Sequence, residues 1–116
     1  MSASPSITTH VLDLSRGRPA SGVPVVLSKR DGAAWKELGR GTTDLDGRVK
    51  ALLPEGTPIV EGTYLLAFDT HTYFRVQGVI GFYPEVTVVF EVMDARGHYH
   101  VPLLLSSFGY STYRGS

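Results

Sequence analysis

The chain has 116 residues, with 11 basic and 11 acidic side chains and no cysteine. This balance lacks the excess of Lys and Arg that nucleic acids and anionic membranes attract, and the absence of cysteine excludes disulfides, thiolate nucleophiles and Cys-ligated zinc. A single domain with one core is therefore expected over residues 7–116, preceded by a flexible N-terminal segment over residues 1–6.

Short stretches rich in Val, Ile, Thr, Tyr and Phe, punctuated by 13 glycines and 7 prolines, predict an all-β protein. The predicted strands, about eight, lie at 7–14, 23–30, 34–40, 48–53, 62–69, 85–93, 98–106 and 110–114. One short helix of about two turns is expected in THTYFRVQG, ending at Gly78. Turns are predicted at RDG (30–32), LDG (45–47) and DARG (94–97), the last of which is expected to close a hairpin.

The strand in HYHVPLLLSS does not match a simple two-faced strand. One of its faces is apolar, while the other combines His98, His100, Pro102 and Leu104. Since a domain of this size has one core, a second face of this kind predicts a binding groove or a subunit interface. Pro102 lacks one ladder donor, which favours a sheet edge or a local irregularity.

Histidines are the side chains best suited to proton transfer near neutral pH. His98 and His100 point the same way on one strand, His10 shares the face of Leu12, and His71 lies in the predicted helix. Spacing alone leaves three interpretations of the first three: ordinary surface residues, a His₃ metal site, or an acid/base pair of a metal-free hydrolase. No carboxylate or cysteine completes a stronger metal motif.

Arg48 follows TTDLDG at the start of a predicted strand. Its planar guanidinium can bind a carboxylate or an oxyanion, and the alternative is a solvated arginine at a strand end. DLDG resembles part of a calcium loop, but Thr42 and Leu53 stand where that loop has acidic ligands. A turn is the better interpretation.

The two ends of the chain carry no strong targeting signal. MSASPS has no basic region and no apolar run, and the longest apolar run, VPLLL, is too short to cross a bilayer. The final RGS is only a poor likeness of the peroxisomal address SKL. We expect a cytoplasmic protein, or a peroxisomal one in a eukaryote, that contacts neither membrane nor nucleic acid.

Several stretches together resemble one family. ITTHVLDLSRGRPASGVPVVL, DLDGR, FYPEVTVVFEV and YHVPLLLSSFGYSTYRGS are similar to the transthyretin-related proteins, and the ending YRGS is similar to that of their 5-hydroxyisourate hydrolase branch. The likeness runs from about residue 7 to the end of the chain. Transthyretin, the hormone carrier of the same fold, is similar around YST but lacks the arginine, glycine and serine that follow.

The resemblance implies a transthyretin-like two-sheet β-sandwich of about eight strands with one short helix, assembled as a homotetramer with a cleft between two dimers. It implies a hydrolase that opens the ring of 5-hydroxyisourate in urate degradation, with no cofactor and no metal. Matched position by position, the implied catalytic residues are His10, Arg48, His100 and Ser116, and the implied substrate-binding residues are Tyr113, Arg114 and Gly115.

The implied chemistry is the attack of water on a ring carbonyl. One of His10 and His100 takes the proton of the water, and the other orients the water or returns a proton to the leaving nitrogen. Arg48 faces the negative charge that grows on the carbonyl oxygen. Ser116 is expected to dock into the site, so a C-terminal tag should lower turnover. The alternative is a non-catalytic carrier that binds a hydrophobic ligand in the tetramer channel.

Overall fold

The computed structural model describes residues 5–116 and places two packed β-sheets there. The elements of this part are β1 (Ser6–Asp13), β2 (Arg18–Pro19), β3 (Pro24–Asp31), β4 (Ala34–Thr42), β5 (Gly62–Phe68), α1 (Thr70–Val76), β6 (Val86–Val92), β7 (His98–Ser106) and β8 (Gly109–Thr112). The strand orders are β2-β1-β7-β8 and β4-β3-β5-β6. The prediction of an all-β sandwich with one short helix is confirmed.

The core lies between the sheets and is built from alternate residues of the strands. β5 contributes Tyr64, Leu66 and Phe68, and β6 contributes Val86 and Val92, all of them almost completely buried. Full burial of a large apolar side chain stabilises the fold by roughly 1.5–3 kcal/mol relative to exposure. This difference determines which face of each strand turns inward and leaves the opposite face for other contacts.

The helix connects β5 to β6, two neighbouring strands of one sheet. The Asp69 carboxylate accepts the N–H of Thr72 at 3.0 Å and caps the first turn. Gly78, with φ +70°, follows the last turn, as predicted. The Tyr73 hydroxyl donates to the buried Asp13 carboxylate at 2.6 Å, which ties the helix to the end of β1.

The prediction of a strand over residues 48–53 was wrong. Only Arg48 makes a ladder contact, as a single bridge, and the residues after it form turns. Val49 and Leu52 are nevertheless buried. A Cβ at Gly39 of β4 would overlap the Leu52 carbonyl, so the segment crosses β4 at close range instead of pairing with it. Apolar content indicated burial correctly but not ladder pairing.

The turn at 94–97 does not close a hairpin. β6 pairs with β5, whereas β7 pairs with β1 and β8, so this turn joins the two sheets. The turn sequence specifies a reversal of the chain but not the partner of the strand that follows. The turn at 30–32 does close a hairpin, between β3 and β4, with Gly32 at φ +62°. The two-residue strand β2 was not predicted.

Pro102 does not lie on a sheet edge, because β7 runs between β1 and β8. The local irregularity is present instead. The β7–β8 ladder ends at the Leu103–Thr112 pair and resumes as a single bridge between His100 and Gly115. The Pro102 carbonyl accepts the Thr112 hydroxyl at 2.7 Å across this gap.

The N-terminal boundary differs from the prediction. Of the segment 1–6 that was expected to be flexible, residues 1–4 lie outside the described residues, and Ser6 already belongs to β1. The domain assignment over 7–116 stays a prediction. No helix among residues 5–116 is long and apolar enough to span a membrane.

Candidate active site

The outer face of the β1–β7 pair carries a row of imidazoles. The two strands run parallel, with Thr8 opposite His100 and His10 opposite Pro102. Alternate residues of β1 are buried in the core, so Thr8 and His10 lie on the opposite face. His98 and His100 lie on that same face of β7. The parallel register thus brings His10 and His100 onto one surface, two pairs apart along the strands.

A tight turn brings Arg48 to this face. The Asp44 carboxylate accepts the N–H of Arg48 at 3.1 Å, and this bond is the main reason that the pKa of Asp44 is lowered. Gly47, with φ +78°, offers its carbonyl to the N–H of Val11 at 2.8 Å. The turn therefore docks on β1, where Arg48 forms a single bridge with His10. Sequence reasoning predicted the turn but not its contact with β1.

The C-terminal segment lies against His100. The N–H of Gly115 donates to the His100 carbonyl at 2.8 Å, and the two residues form a bridge. A Cβ added at Gly115 would lie 2.5 Å from Cδ2 of His100, so the imidazole packs directly on the glycine backbone. Tyr113 and Ser116 are exposed on either side of this contact. The predicted motif and the predicted histidine are therefore neighbours.

Arg114 departs from this arrangement. Its guanidinium carbon lies 4.7 Å from the centroid of the Tyr99 ring, and Nη2 donates to the His98 carbonyl at 3.4 Å. Tyr99 points into the core, with 6% of its surface exposed. Because successive residues of an extended chain point to opposite faces, Arg114 lies on the core side of the sheet and Gly115 on the histidine side. In this chain Arg114 holds the terminal segment against β7.

The surroundings of His100 favour its neutral form. Partial burial lowers the pKa of the imidazole below its ordinary value of 6.5, and the nearby positive charges of His10, Arg48 and His98 lower it further. No carboxylate contributes to the shift. The lowered pKa favours a neutral His100 imidazole near neutral pH, close to the positive charge of Arg48.

His10 contains an unusual buried atom. Its Nε2 is enclosed, and among the described residues no group forms a hydrogen bond with it. Leaving a buried polar atom unpaired costs roughly 1–3 kcal/mol, and most buried polar groups in proteins are paired. This orphan belongs to a residue that is bridged to Arg48, which makes His10 a candidate for a role other than stability.

Comparison with known proteins identifies the family. The model of the HIUase/Transthyretin family matches residues 7–115. The chain belongs to this family. A 5-hydroxyisourate hydrolase 2 of Rhizobium meliloti (strain 1021) is 48% identical over 120 residues, which cover 100% of both chains.

Two solved structures of the HIUase/transthyretin family show the same fold. The 5-hydroxyisourate hydrolase of Klebsiella pneumoniae superposes with a TM-score of 0.81 and is 35% identical, covering 95% of this chain and 98% of that one. Transthyretin from Sparus aurata superposes with a TM-score of 0.85 and is 33% identical, covering 94% of this chain and 95% of that one. The predicted family and fold are confirmed, and the fold is common to both proteins.

Sequence reasoning missed the hydroxyl groups that contact the histidines of this family member. Thr8 Oγ1 lies 2.8 Å from Nδ1 of His100, and the Ser6 hydroxyl contacts Nδ1 of His98 in the same way. Only the pairing of β1 with β7 reveals these contacts, and a single sequence does not specify that pairing. His71 lies apart from them on the exposed side of α1. Among residues 5–116, no three His, Asp or Glu side chains are grouped to hold a metal ion.

Proposed function

We propose that this member of the HIUase/transthyretin family is a 5-hydroxyisourate hydrolase, which opens the ring of its substrate to give 2-oxo-4-hydroxy-4-carboxy-5-ureidoimidazoline. The observation that carries the proposal is the pair of single bridges that join Arg48 to His10 and Gly115 to His100 on one face. The relative that is 48% identical over its full length bears the name 5-hydroxyisourate hydrolase 2. This likeness favours the hydrolase over the carrier, whereas the solved hydrolase and the solved transthyretin, 35% and 33% identical, support only the shared fold.

His100 acts as the general base. Water is a poor nucleophile, so a neutral imidazole must accept one of its protons while the water oxygen bonds to the ring carbonyl carbon. The lowered pKa of His100 keeps it neutral and ready to accept that proton. The carbonyl π electrons move to the oxygen, and a tetrahedral intermediate forms. General base catalysis of this kind contributes a factor of about 10²–10⁴ to the rate.

The neighbouring groups complete the reaction. Arg48 stabilises the negative charge on the carbonyl oxygen of the intermediate and orients an anionic substrate. When the intermediate collapses, the carbon–nitrogen bond of the ring breaks, and the proton held by His100 passes to the leaving nitrogen. His10 orients the water or relays that proton. Tyr113, Gly115 and Ser116 form the wall of the site beside His100, and Arg114 holds this wall in place from the core side.

The proposal includes a homotetramer, a dimer of dimers in which the histidine face lines a cleft between the dimers. Leu12 and Leu104 lie on the histidine face and are only half-buried in the single chain. Leu14 and Phe108 are 59% and 71% exposed. An apolar surface next to polar groups is typical of a subunit interface. Sedimentation equilibrium tests this assembly: four times the chain mass of 12.6 kDa supports it, and the mass of a single chain contradicts it.

A coupled assay tests the activity. Urate oxidase generates 5-hydroxyisourate in the cuvette, and the decay of its absorbance is followed with and without the protein. Accelerated decay supports the hydrolase. Decay at the spontaneous rate, in a folded protein, contradicts it, and thyroxine binding to that protein would favour the carrier.

A further inference from the structure

A ladder of hydroxyl–imidazole pairs runs across the β1–β7 boundary. The parallel register sets Ser6 opposite His98 and Thr8 opposite His100. In each pair the hydroxyl oxygen contacts Nδ1 of the imidazole, at 2.8 Å for Thr8 and His100. This is the only side-chain hydrogen bond of His100 among residues 5–116. Gly115 packs against the ring, and the Thr8 hydroxyl is the one side chain of the described residues that fixes its orientation by a hydrogen bond.

We infer that Thr8 is a positioning residue, whose hydroxyl accepts the Nδ1 proton of His100 and thereby presents Nε2 as the basic nitrogen. The inference rests on the proposed function, since it assigns a role to Thr8 in the reaction of His100. Thr8 itself does not need to touch the substrate.

The direction of this hydrogen bond follows from the two states that a base must visit. A neutral imidazole carries one proton and accepts at its other nitrogen, while the imidazolium donates from both nitrogens. If the Thr8 hydroxyl accepts from Nδ1, the same bond serves both states, and only Nε2 changes during the reaction. If the hydroxyl donated to Nδ1, it would have to rotate each time the ring took a proton. The accepting arrangement keeps the ring still.

A hydroxyl suits this position better than a carboxylate does. His10, Arg48 and His98 are the charged groups that shift the pKa of His100, while Glu91 and Arg114 line the same cavity and the terminal carboxylate of Ser116 follows Gly115, which packs on the ring. A carboxylate at position 8 would stabilise the imidazolium and raise the pKa of His100. A neutral hydroxyl fixes the tautomer without supplying charge, so His100 remains unprotonated near pH 7.

Two substitutions at position 8 test the inference. Thr8→Val preserves the shape of the side chain but removes the hydrogen bond, and we expect kcat to fall about tenfold, which corresponds to about 1.4 kcal/mol, with KM near that of the wild type. The acidic limb of the pH profile should move to lower pH, because the imidazolium loses its acceptor. Thr8→Ser keeps the hydroxyl and should restore both parameters. Ser6→Ala removes the matching contact to His98 and should leave both unchanged.

An NMR measurement provides a readout that does not depend on activity. The ¹⁵N shifts of the His100 ring in the wild-type protein should report a proton on Nδ1, and Thr8→Val should shift the population toward the other tautomer. A wild-type ring protonated on Nε2, or a Thr8→Val protein with unchanged shifts and unchanged kcat, would overturn the inference. If the wild-type protein fails to accelerate substrate decay, the proposed function fails, and the NMR result still decides whether Thr8 sets the tautomer.

Discussion

A single methyl group at Gly115 should separate the C-terminal segment from His100. The Cβ of Gly115→Ala would lie 2.5 Å from Cδ2 of His100 and 3.3 Å from Cγ of Pro102, whereas carbon atoms in ordinary contact lie about 3.5–4.0 Å apart. The ring or the segment must therefore move by about 1 Å. A displacement of this size in a catalytic site can reduce the rate about 10²-fold. We expect a loss of about that size in kcat in the urate oxidase-coupled assay.

The matched control for this substitution lies in the same sheet. Gly109 in β8 also has an ordinary φ, and a Cβ there would meet only the Ser106 hydroxyl, at 3.7 Å. Gly109→Ala should therefore retain wild-type activity. We expect both variants to unfold within about 1 kcal/mol of the wild type, because both glycines lie near the margin of the sheet. Wild-type kcat in Gly115→Ala, in a folded protein, would refute the proposal that this contact shapes the site.

Three further predictions follow from the same geometry. Activity should fall on acidification with an apparent pKa below 6.5, because His100 must be neutral, and a pH profile of kcat/KM without this limb would contradict the assignment. The free energy of unfolding should also decrease as the pH is lowered below about 6.5, because His100 binds a proton more readily in the unfolded chain than in the folded one. Denaturant titrations of His100→Asn at several pH values should show a weaker decrease. Gly47→Ala should lower both the free energy of unfolding and kcat. A Cβ at φ +78° would overlap the Val11 carbonyl and separate the turn that carries Arg48 from β1. Unchanged values in both measurements would contradict this prediction.

The burial of the strands could be predicted because it depends on local pattern. Alternation in β5 places Tyr64, Leu66 and Phe68 on one face, and the structure buries all three. The helix was predictable for a similar reason, because Gly78 adopts the left-handed backbone conformation that commonly ends a helix. These features need no knowledge of which strands are neighbours.

The arrangement of the site depends on distant pairings and could not be predicted from spacing. β1 and β7 are far apart in the chain, and their parallel register alone makes Thr8 the partner of His100. Spacing left three interpretations of the histidines, and only the family resemblance singled out His10 and His100. The resemblance also assigned Arg114 to the substrate, which stays a prediction; in the single chain its guanidinium lies 4.7 Å from the centroid of the Tyr99 ring. A motif specifies residue types but not the face on which each one lies.

The most direct test of the proposed mechanism compares two histidines of one strand in the coupled assay. His98 and His100 share a face of β7 and each contacts a hydroxyl of β1, but it is the His100 ring that packs on the backbone of Gly115 in the C-terminal segment. We predict that His98→Asn accelerates the decay of 5-hydroxyisourate as the wild type does, while His100→Asn loses a factor of about 10²–10⁴. Rapid decay with a folded His100→Asn protein would contradict the assignment of His100 as the general base.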